Sequence, residues 1–361
     1  MGSVANMTDR DAFEALVADV RGRVDGALST WLKPKVEAAR SVSAEAGAAA
    51  EALSDLALRG GKRVRAALVA AGYDACGGDD LGAATPAMIA VELLHAYLLV
   101  HDDWMDEDDV RRGAPTVHVT LGKRLANERL GDAFAVLAGD LGCAYAQEAL
   151  LASPVPADRL VGAARVFARI QTDVVTGQLA EMHAAASEEV RARGGVATLE
   201  TVHALKTASY TVSGPLALGA VLAGADASRV ADLARFGEPL GVAFQLRDDL
   251  LGVFGDPTAT GKPVYNDIRQ GKRTALVAEL EKDPASAALR ARVLGDKHAS
   301  AADIDALVRL MDTSGARARV ETRVSELSTR AHEILKAIDL NGRQSRAWLA
   351  GAIAALGERA A

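Results

Sequence analysis

Hydrophobic residues recur every three or four positions through most of the chain, which is the spacing of one buried face of an α-helix. β-branched and aromatic residues, which strands prefer, are few, and aromatic residues make up 4% of the sequence. No run of alternating strand-like segments, no repeat of fixed period and no linker rich in Ser, Gly and Pro divides the chain. The pattern therefore predicts one large all-α domain over residues 1–361.

Capping and helix-breaking residues predict where the helices begin and end. Thr8 is a typical N-cap, and the helix that it begins is expected to end near Leu32, before Pro34. A Gly-Gly pair at 60–61 ends the second helix, and a Thr-Pro pair at 85–86 is expected to open an apolar helix. Further helices are predicted at about 129–151, 157–186, 199–223, 228–252, 271–282, 301–313, 316–337 and 343–359.

The composition is that of a soluble globular protein, because half of the 361 residues are hydrophobic and 25% are charged. This balance excludes a mainly disordered chain. The net charge is −7, whereas a general nucleic-acid binder is more often basic. We therefore expect no nucleic-acid partner, and any phosphate contacts must come from local clusters of cations.

Few features connect the chain with an oxidising compartment or a membrane. The two cysteines, Cys76 and Cys143, do not suggest a disulfide framework, and the first ten residues lack the apolar stretch of a signal peptide. The longest apolar stretch, Leu81–Val100, contains Glu92 and His95, which favours a buried helix over a membrane span. We expect a cytoplasmic protein with no membrane span.

Two acidic clusters follow apolar helical segments. The first holds six carboxylates within eight residues, and two of them, Asp102 and Asp106, share a helix face at a spacing of four residues. Their charges repel unless a cation neutralises them, and Mg²⁺ prefers such oxygen ligands and bridges carboxylates to phosphates. The second cluster is Asp248-Asp249, and Gln245 faces the same way as Asp249. A solvated acidic helix end would explain one such cluster, but two favour a metal site.

Cations are grouped in several short segments. After the glycine pair at 60–61, Lys62 and Arg65 are three residues apart on one face of the predicted helix, where free backbone N–H groups favour an anion. Each cation alone is typical of a solvated surface. Together with metal-binding carboxylates they predict a diphosphate held from both sides, because metal bridging offsets the repulsion between carboxylates and diphosphate. The other cations outside the apolar pattern are Arg111, Arg112, Lys206, Lys262, Lys272 and Arg273.

In this order the motifs resemble those of the trans-isoprenyl diphosphate synthases, or polyprenyl synthetases, over about residues 55–280. The second aspartate motif departs from the family pattern, because Gly252 replaces its third aspartate and removes one carboxylate. In GQLAE a glutamate replaces the usual aspartate and keeps the carboxylate. The matching segments are GGKRVR at 60–65, DDWMD at 102–106, RRG at 111–113, GQLAE at 177–181, KT at 206–207, FQLRDD at 244–249, and GK at 261–262 and 271–272.

The resemblance implies a single bundle of long helices around a central cavity, usually in a homodimer. It also implies head-to-tail prenyl transfer: an allylic diphosphate ionises, the double bond of isopentenyl diphosphate attacks the resulting cation, and a proton is lost to the departing diphosphate. Fixed cations and three Mg²⁺ ions would stabilise the negative charge that develops on the leaving diphosphate.

The resemblance further implies roles for particular residues. On an apolar helix alone His95 would be a core residue, and only its motif position gives it a binding role. The metal ligands would be Asp102, Asp106 and Asp248, with Asp103 and Asp249 in close support. Isopentenyl diphosphate would be held by Gly61, Lys62, Arg65, His95 and Arg112. The allylic diphosphate would be held by Arg111, Lys206, Lys262 and Lys272, and its cation would be faced by the oxygens of Thr207 and Gln245.

The product tail is expected to run from the first aspartate motif along the preceding helix. Tyr97 and Leu98, five and four residues before Asp102, would form the floor of that path. In related enzymes with this short motif an aromatic residue here accompanies products of C15 to C20, so we expect geranylgeranyl diphosphate, which is C20. Farnesyl or longer diphosphates are alternatives. Another is that Tyr97 packs on a neighbouring helix and a different layer sets the floor.

Three other functions share parts of this pattern. A class I terpene cyclase has the first aspartate motif but needs no second diphosphate site, so the cations of the GGKRVR segment and Arg112 weigh against it. A head-to-head synthase is disfavoured on similar grounds. A non-catalytic subunit is expected to lose aspartates, and because both pairs are intact, only Gly252 supports it.

Overall fold

The computed structural model describes residues 7–185, 198–255 and 265–357. Nearly all of this part is helical, which confirms the all-α prediction, although the helix expected at 271–282 is shorter. Two segments are π-helical, Ala204–Ser213 and Ile353–Gly357. The α-helices are α1 (Asp9–Val42), α2 (Ala44–Leu58), α3 (Val64–Ala75), α4 (Leu81–Met105), α5 (Val117–Leu125), α6 (Glu128–Leu151), α7 (Ala157–Ala185), α8 (Leu199–His203), α9 (Gly214–Ala223), α10 (Ala227–Phe254), α11 (Asn266–Arg269), α12 (Ala275–Leu280), α13 (Ala287–Val293), α14 (Ala301–Thr313), α15 (Ala316–Ala337) and α16 (Ser345–Ala352).

A small hairpin follows the first acidic cluster. Its strands, β1 (Val110–Arg111) and β2 (Ala114–Pro115), pair antiparallel and are the only strands in the described ranges. Arg112 and Gly113 form the turn between them with φ of 53° and 73°, as a two-residue hairpin turn with two left-handed positions requires. Two-residue strands leave no alternating pattern, so this hairpin could not be predicted from the sequence.

The first helix is longer than predicted. It continues past Leu32 to Val42 and contains Pro34. Pro34 lies on the exposed side of α1, where the carbonyl group that it leaves unpaired reaches water. The opposite face of α1 is buried in the core, and this packing stabilises the helix across the proline. The predicted end at Leu32 is therefore wrong.

The fourth helix begins earlier than predicted. It starts at Leu81 rather than after Thr85, because the Asp80 carboxylate caps it by accepting a hydrogen bond from the Gly82 N–H at 2.8 Å. Pro86 therefore lies inside α4, where it removes one backbone hydrogen bond but does not end the helix. The predicted cap at the Thr-Pro pair is wrong for this reason.

Two hydrophobic clusters hold the helices together. The larger one joins the N-terminal helices to α6, α7, α9 and the middle of α10, and it contains the fully buried Phe13 and Phe236. The smaller one packs the C-terminal part of α10 against α12, α14 and α15 through residues such as Leu276 and Leu307. The helices after residue 284, which carry no recognised motif, therefore form part of the bundle wall.

Among the described residues, α4 is the one helix whose length and composition would allow it to cross a membrane. In its most apolar window, however, 67% of the residues are buried by the rest of the protein. A helix that is apolar on all sides is typical of the centre of a large helical bundle as well as of a membrane. The position of α4 agrees with the predicted buried helix.

The backbones of α3 and α9 touch. A Cβ atom on Gly72 would collide with the carbonyl oxygen of Leu216, and a Cβ atom on Gly219 would collide with that of Val69. Glycine at both positions therefore allows an approach that any side chain would prevent. We call this contact the glycine seam; it lies about two helical turns from the N-terminus of α3.

A buried arginine fixes the start of α3. Arg63 has a left-handed backbone, with φ of 55°, and its side chain is 2% exposed. Its guanidinium donates hydrogen bonds to Asp25 Oδ1 at 2.8 Å, Glu92 Oε2 at 3.0 Å and the Ala57 carbonyl at 2.9 Å. Glu92 also accepts from the Ala66 N–H at 3.3 Å. This network joins α1, α2 and α4 to the loop that contains the glycine pair.

Candidate active site

The first aspartate motif lies at the C-terminal end of α4. Asp102 is in its last turn, and Asp106 follows directly as the C-cap. Burial raises the pKa of Asp102 to about 6, although the nearby Lys206 ammonium opposes the shift. Asp106 accepts a hydrogen bond from Lys272 Nζ at 2.6 Å. The fold therefore brings a lysine from a distant segment to each of these carboxylates.

Lys206 reaches this region from the first π-helix. Its ammonium pairs with Glu181 of α7. Burial alone would lower the pKa of Lys206, but the carboxylates of Glu181 and Asp102 raise it above its ordinary value, so the lysine stays charged. Gly177 allows this approach, because a Cβ atom there would collide with the Lys206 backbone. The GQLAE segment therefore contributes a close contact and a carboxylate to Lys206.

A chain of hydrogen bonds joins the π-helix to the second aspartate motif on α10. The Thr207 hydroxyl donates to Gln245 Oε1, and the Gln245 amide donates to Asp249 Oδ1, both at 2.8 Å. The other oxygen of Asp249 accepts from the Ala275 N–H at 3.0 Å. Burial raises the pKa of Asp249 to about 7. Asp248, in contrast, is exposed, so its carboxylate is accessible to an ion.

A carboxylate from another segment lies beside the missing third aspartate of this motif. A Cβ atom on Gly252 would lie 3.2 Å from Asp267 Oδ2. The charge of Asp267 also helps to raise the pKa of Asp249, after burial, and that of Lys272, after Asp106. Asp267 was not predicted from the sequence, because no helical spacing relates α11 to α10. Its place shortly before the GK pair at 271–272 is its only sequence signal.

Arg111 is engaged by carboxylates of its own segment. Its Nε donates to Asp103 Oδ1 at 2.7 Å, and its Nη2 donates to Asp108 Oδ2 at 3.3 Å. Asp103 is completely buried, and its second oxygen has no hydrogen-bond partner. The Arg111–Asp103 pair therefore anchors the hairpin to the end of α4. The contact with an allylic diphosphate expected of Arg111 would have to compete with these hydrogen bonds.

A second group of predicted residues also converges, around the turn of the hairpin. The Arg112 guanidinium donates to the Gly60 carbonyl and lies 3.5 Å from His95 Nε2. Gly61 is next to the same guanidinium, because a Cβ atom there would lie 3.5 Å from Arg112 Nη2. Residues from the glycine-pair loop, α4 and the hairpin thus meet at one place.

Lys62 and Arg65 belong to the same region but do not share a helix face. α3 begins only at Val64, and the left-handed Arg63 precedes it, so Lys62 lies in the loop and Arg65 in the first turn. The prediction of a common face is wrong, because the chain turns at Arg63 to bury its guanidinium. Lys62 remains beside Gly61 in sequence.

The second group has positive charge and nitrogen atoms without partners. Arg65 Nε and His95 Nδ1 are both buried and lack a hydrogen-bond partner. In the ranges that the structure describes, neither Arg65 nor Arg112 forms an ion pair with a carboxylate. Burial, followed by the charges of Arg65 and Arg112, lowers the pKa of His95 well below its ordinary value. Such a site favours an anion.

The first group, which is formed by the carboxylates and lysines Asp102, Asp106, Asp248, Lys206 and Lys272, fits a divalent cation that is bound together with its substrate. Within residues 7–185, 198–255 and 265–357, no three His, Cys, Asp or Glu side chains are placed to hold a metal ion by themselves. Mg²⁺ commonly uses one or two carboxylates and completes its shell with water and phosphate oxygens. Asp102 and Asp248 provide such hard oxygen donors. Lys262, also predicted to bind the allylic diphosphate, lies outside the described residues.

Tyr97 packs between helices, about one turn before Asp102 on α4. A Cβ atom on Gly142 of α6 would lie 2.8 Å from Tyr97 Cβ. The phenol hydroxyl lies near Gln171 of α7, and burial raises the pKa of Tyr97 to about 12. Leu98 is partly buried against the larger hydrophobic cluster. Tyr97 therefore does contact neighbouring helices, and its ring closes the space between α4, α6 and α7.

The two groups differ in their chemistry and share the first π-helix. The first combines carboxylates with lysines and suits a diphosphate bound through a metal ion. The second combines arginines and a neutral His95 and suits a diphosphate bound directly. The π-helix contributes Lys206 to the first group, and its Thr211 accepts a hydrogen bond from Arg65 of the second at 3.1 Å.

Comparisons with known sequences agree with this arrangement. The sequence model described as polyprenyl synthetase matches residues 48–311. A geranylgeranyl diphosphate synthase of Mycobacterium tuberculosis is 39% identical over 260 residues, which are 71% of this chain and 69% of that protein. A geranylfarnesyl diphosphate synthase of Aeropyrum pernix is 34% identical over 294 residues, which are 80% of this chain and 87% of that protein.

A solved structure extends the similarity to the whole fold. The geranylgeranyl pyrophosphate synthase of Corynebacterium glutamicum, solved with isoprenyl diphosphate and magnesium, matches with a TM-score of 0.84 and 33% sequence identity. The match covers 96% of this chain and 99% of that one. With the ordered motifs and the two converging groups of charged residues, these similarities lead to one assignment: the chain belongs to the polyprenyl synthetase family.

Proposed function

We propose that this trans-prenyltransferase joins isopentenyl diphosphate head-to-tail to an allylic diphosphate and makes geranylgeranyl diphosphate. One observation carries the proposal: two anion sites of different chemistry contact the same π-helix. The carboxylate and lysine site suits the allylic diphosphate, and the arginine site around Arg65 and Arg112 suits isopentenyl diphosphate. A terpene cyclase uses a single diphosphate and would not need the second site.

The reaction begins when the C–O bond of the allylic diphosphate breaks and its electron pair leaves with the diphosphate. Lys206 and Lys272 lie where they can neutralise the departing charge. The Thr207 hydroxyl donates a hydrogen bond to Gln245, so the lone pairs of the Thr207 oxygen remain available to face the allylic cation. The π electrons of isopentenyl diphosphate then form the new C–C bond, and the departed diphosphate accepts the proton that is lost.

The aspartates of both motifs divide into ligands and supports. Asp102, Asp106 and Asp248 would hold three Mg²⁺ ions, which would neutralise diphosphate oxygens and so make the diphosphate a better leaving group. The buried Asp103 and Asp249 would act through their partners, Arg111 and Gln245. The carboxylate of Asp267 beside Gly252 would supply negative charge where the family motif has its third aspartate.

Isopentenyl diphosphate would bind directly to the protein. Arg65 and Arg112 supply positive charge, and Lys62 adds a further positive charge in the adjacent loop. Gly61 leaves the space beside the Arg112 guanidinium unoccupied by a side chain. His95 is neutral because of its lowered pKa, so it would offer a hydrogen bond without adding to the charge repulsion. Direct binding leaves the double bond free to face the first site.

A product assay tests the proposed function. The purified protein would be incubated with Mg²⁺, isopentenyl diphosphate and each allylic starter from C5 to C15, and products would be sized by mass spectrometry. We expect a dominant C20 diphosphate. A cyclic hydrocarbon from one allylic substrate would show a cyclase instead. No turnover of any starter would contradict the proposal and would direct attention to Gly252 and a missing partner subunit.

Tyr97→Ala is expected to lengthen the product. The change removes the ring that fills the space between α4, α6 and α7 one turn from Asp102, so the growing tail should extend by at least one C5 unit. Tyr97→Phe keeps the bulk of the ring and is expected to retain the C20 product. Mass spectrometry of the products of both variants measures the chain length. An unchanged C20 product from Tyr97→Ala would show that residues other than Tyr97 close the path of the product tail.

We further propose a homodimer in the cytoplasm. Seven exposed large apolar side chains lie on α6 and α7, and a concentration of such residues is typical of an interaction surface. Sedimentation velocity checks the dimer, and the mass of a single chain would contradict it. The exposed apolar residues of the two helices are Leu130, Leu137, Leu151, Val161, Val175, Leu179 and Met182.

Both cysteines are free thiols, which agrees with a reducing compartment.

A further inference from the structure

Tyr210 belongs to none of the motifs, yet it lies at the second anion site. It is on the first π-helix, and its ring lies against the Arg65 guanidinium, with 4.4 Å between the ring centroid and Arg65 Cζ. The ring centroids of Tyr210 and His95 are 6.1 Å apart. Arg65 also donates a hydrogen bond to Thr211, the next residue on the π-helix. One turn of the π-helix thus contacts two residues of the proposed isopentenyl diphosphate site.

Arg65 has to be held in a region of positive charge. After burial, Arg65, Arg112, Arg111 and Arg63 all lower the pKa of His95, so four guanidinium charges act on one small volume. Mutual repulsion and the rotamer freedom of a long side chain would both move the Arg65 guanidinium away from the site. The site therefore needs a contact that attracts this cation.

An aromatic face is better suited to this task than a carboxylate. A carboxylate would hold Arg65 but would occupy its N–H groups and cancel its charge, so that little affinity for a diphosphate would remain. The face of the Tyr210 ring attracts the guanidinium through its quadrupole and leaves the N–H edge free. Arg65 Nε is indeed buried without a hydrogen-bond partner, so no acceptor within the described part of the protein uses this N–H group.

We infer that Tyr210 is a positioning residue for isopentenyl diphosphate: its ring holds the Arg65 guanidinium in place with the N–H groups available to the diphosphate. This inference rests on the proposed function. Lys206, four residues earlier on the same π-helix, pairs with Glu181 at the allylic site, whereas the ring of Tyr210 contacts Arg65 and His95. Loss of the ring should therefore affect one substrate and not the other.

The test is the replacement Tyr210→Leu, which removes the aromatic face, beside Tyr210→Phe, which keeps it. For Tyr210→Leu we expect the KM for isopentenyl diphosphate to rise about tenfold, from the loss of a partly desolvated cation–π contact. We expect kcat and the KM for geranyl diphosphate to change by less than about threefold, because the lost interaction is one of binding. Tyr210→Phe should stay within about twofold of wild type in all three values, because it retains the ring face.

Several results would overturn the inference. One is a Tyr210→Leu enzyme whose KM for isopentenyl diphosphate is unchanged, and another is an equal rise in both KM values. Impairment of Tyr210→Phe as severe as that of Tyr210→Leu would show that the hydroxyl matters rather than the ring. If Tyr210→Leu does not fold, as judged by thermal unfolding, Tyr210→Met takes its place. Wild-type enzyme that fails to turn over would contradict the proposed function itself, whereas active wild type with an unaffected variant contradicts only this inference.

Discussion

Asp102→Asn is expected to lower kcat/KM for prenyl transfer about 10³-fold. Asparagine keeps the size of the side chain but removes the negative charge that would bind a metal ion at the end of α4. The change also removes one of the two carboxylates that keep Lys206 charged. Both losses weaken stabilisation of the departing diphosphate. Steady-state assays with isopentenyl and geranyl diphosphates over a range of Mg²⁺ concentrations measure the effect.

Asp109→Asn is the matched control for this change. Asp109 belongs to the same acidic cluster, but it is exposed, and its carboxylate makes no hydrogen bond or ion pair within the described residues. We expect its rate to stay within about twofold of wild type, as for a surface substitution. Equal rates for the two variants would mean that the cluster acts only through its total charge, and the assignment of Asp102 as a ligand would be wrong.

The second large effect concerns stability. Arg63→Met is expected to lower the free energy of unfolding by about 3–5 kcal/mol, because it leaves a buried charge without its partner. The Glu92 side chain is 4% exposed, and Arg63 is the cation that pairs with it at 3.0 Å. Methionine fills a similar volume, so the loss would reflect the unpaired charge more than a cavity. Urea unfolding followed by circular dichroism measures the change.

Two further variants separate charge from packing. Arg21 also faces Asp25, at 3.6 Å, but its side chain is 57% exposed, so Arg21→Met should cost less than about 1 kcal/mol. Adding Glu92→Gln to Arg63→Met removes the stranded charge and keeps an acceptor for the Ala66 N–H, so the pair should recover part of the stability. An Arg63→Met protein as stable as Arg21→Met would show that the buried network contributes little.

Much of the candidate site could be predicted because its chemistry is concentrated in short segments. The spacing of Asp102 and Asp106 requires a neutralising cation, and the structure places Lys206 and Lys272 beside them. Sequence alone could not show which cation meets which carboxylate. Arg111, for example, was expected at the allylic diphosphate, yet its guanidinium is bonded to Asp103.

The residues that the sequence did not reveal come close to the site only through folding. Asp267 lies on a short helix after the second motif, and Tyr210 lies inside an apolar segment where an aromatic residue usually means packing. Neither has a spacing that relates it to a motif. The helix ends predicted beside Pro34 and Pro86 were wrong because burial of one helix face outweighs the loss of a single hydrogen bond, and both helices continue through the proline.

The glycine seam limits how the second site can open. With the backbones of α3 and α9 in contact at Gly72 and Gly219, no side chain between them can change rotamer to let the two helices slide or separate. Arg65, in the first turn of α3, and Tyr210, on the π-helix that leads into α9, are therefore carried by elements that the seam holds together. We therefore expect the second site to adjust through the side chain of Arg112 on its two-residue turn, because Arg111 anchors the hairpin itself to Asp103.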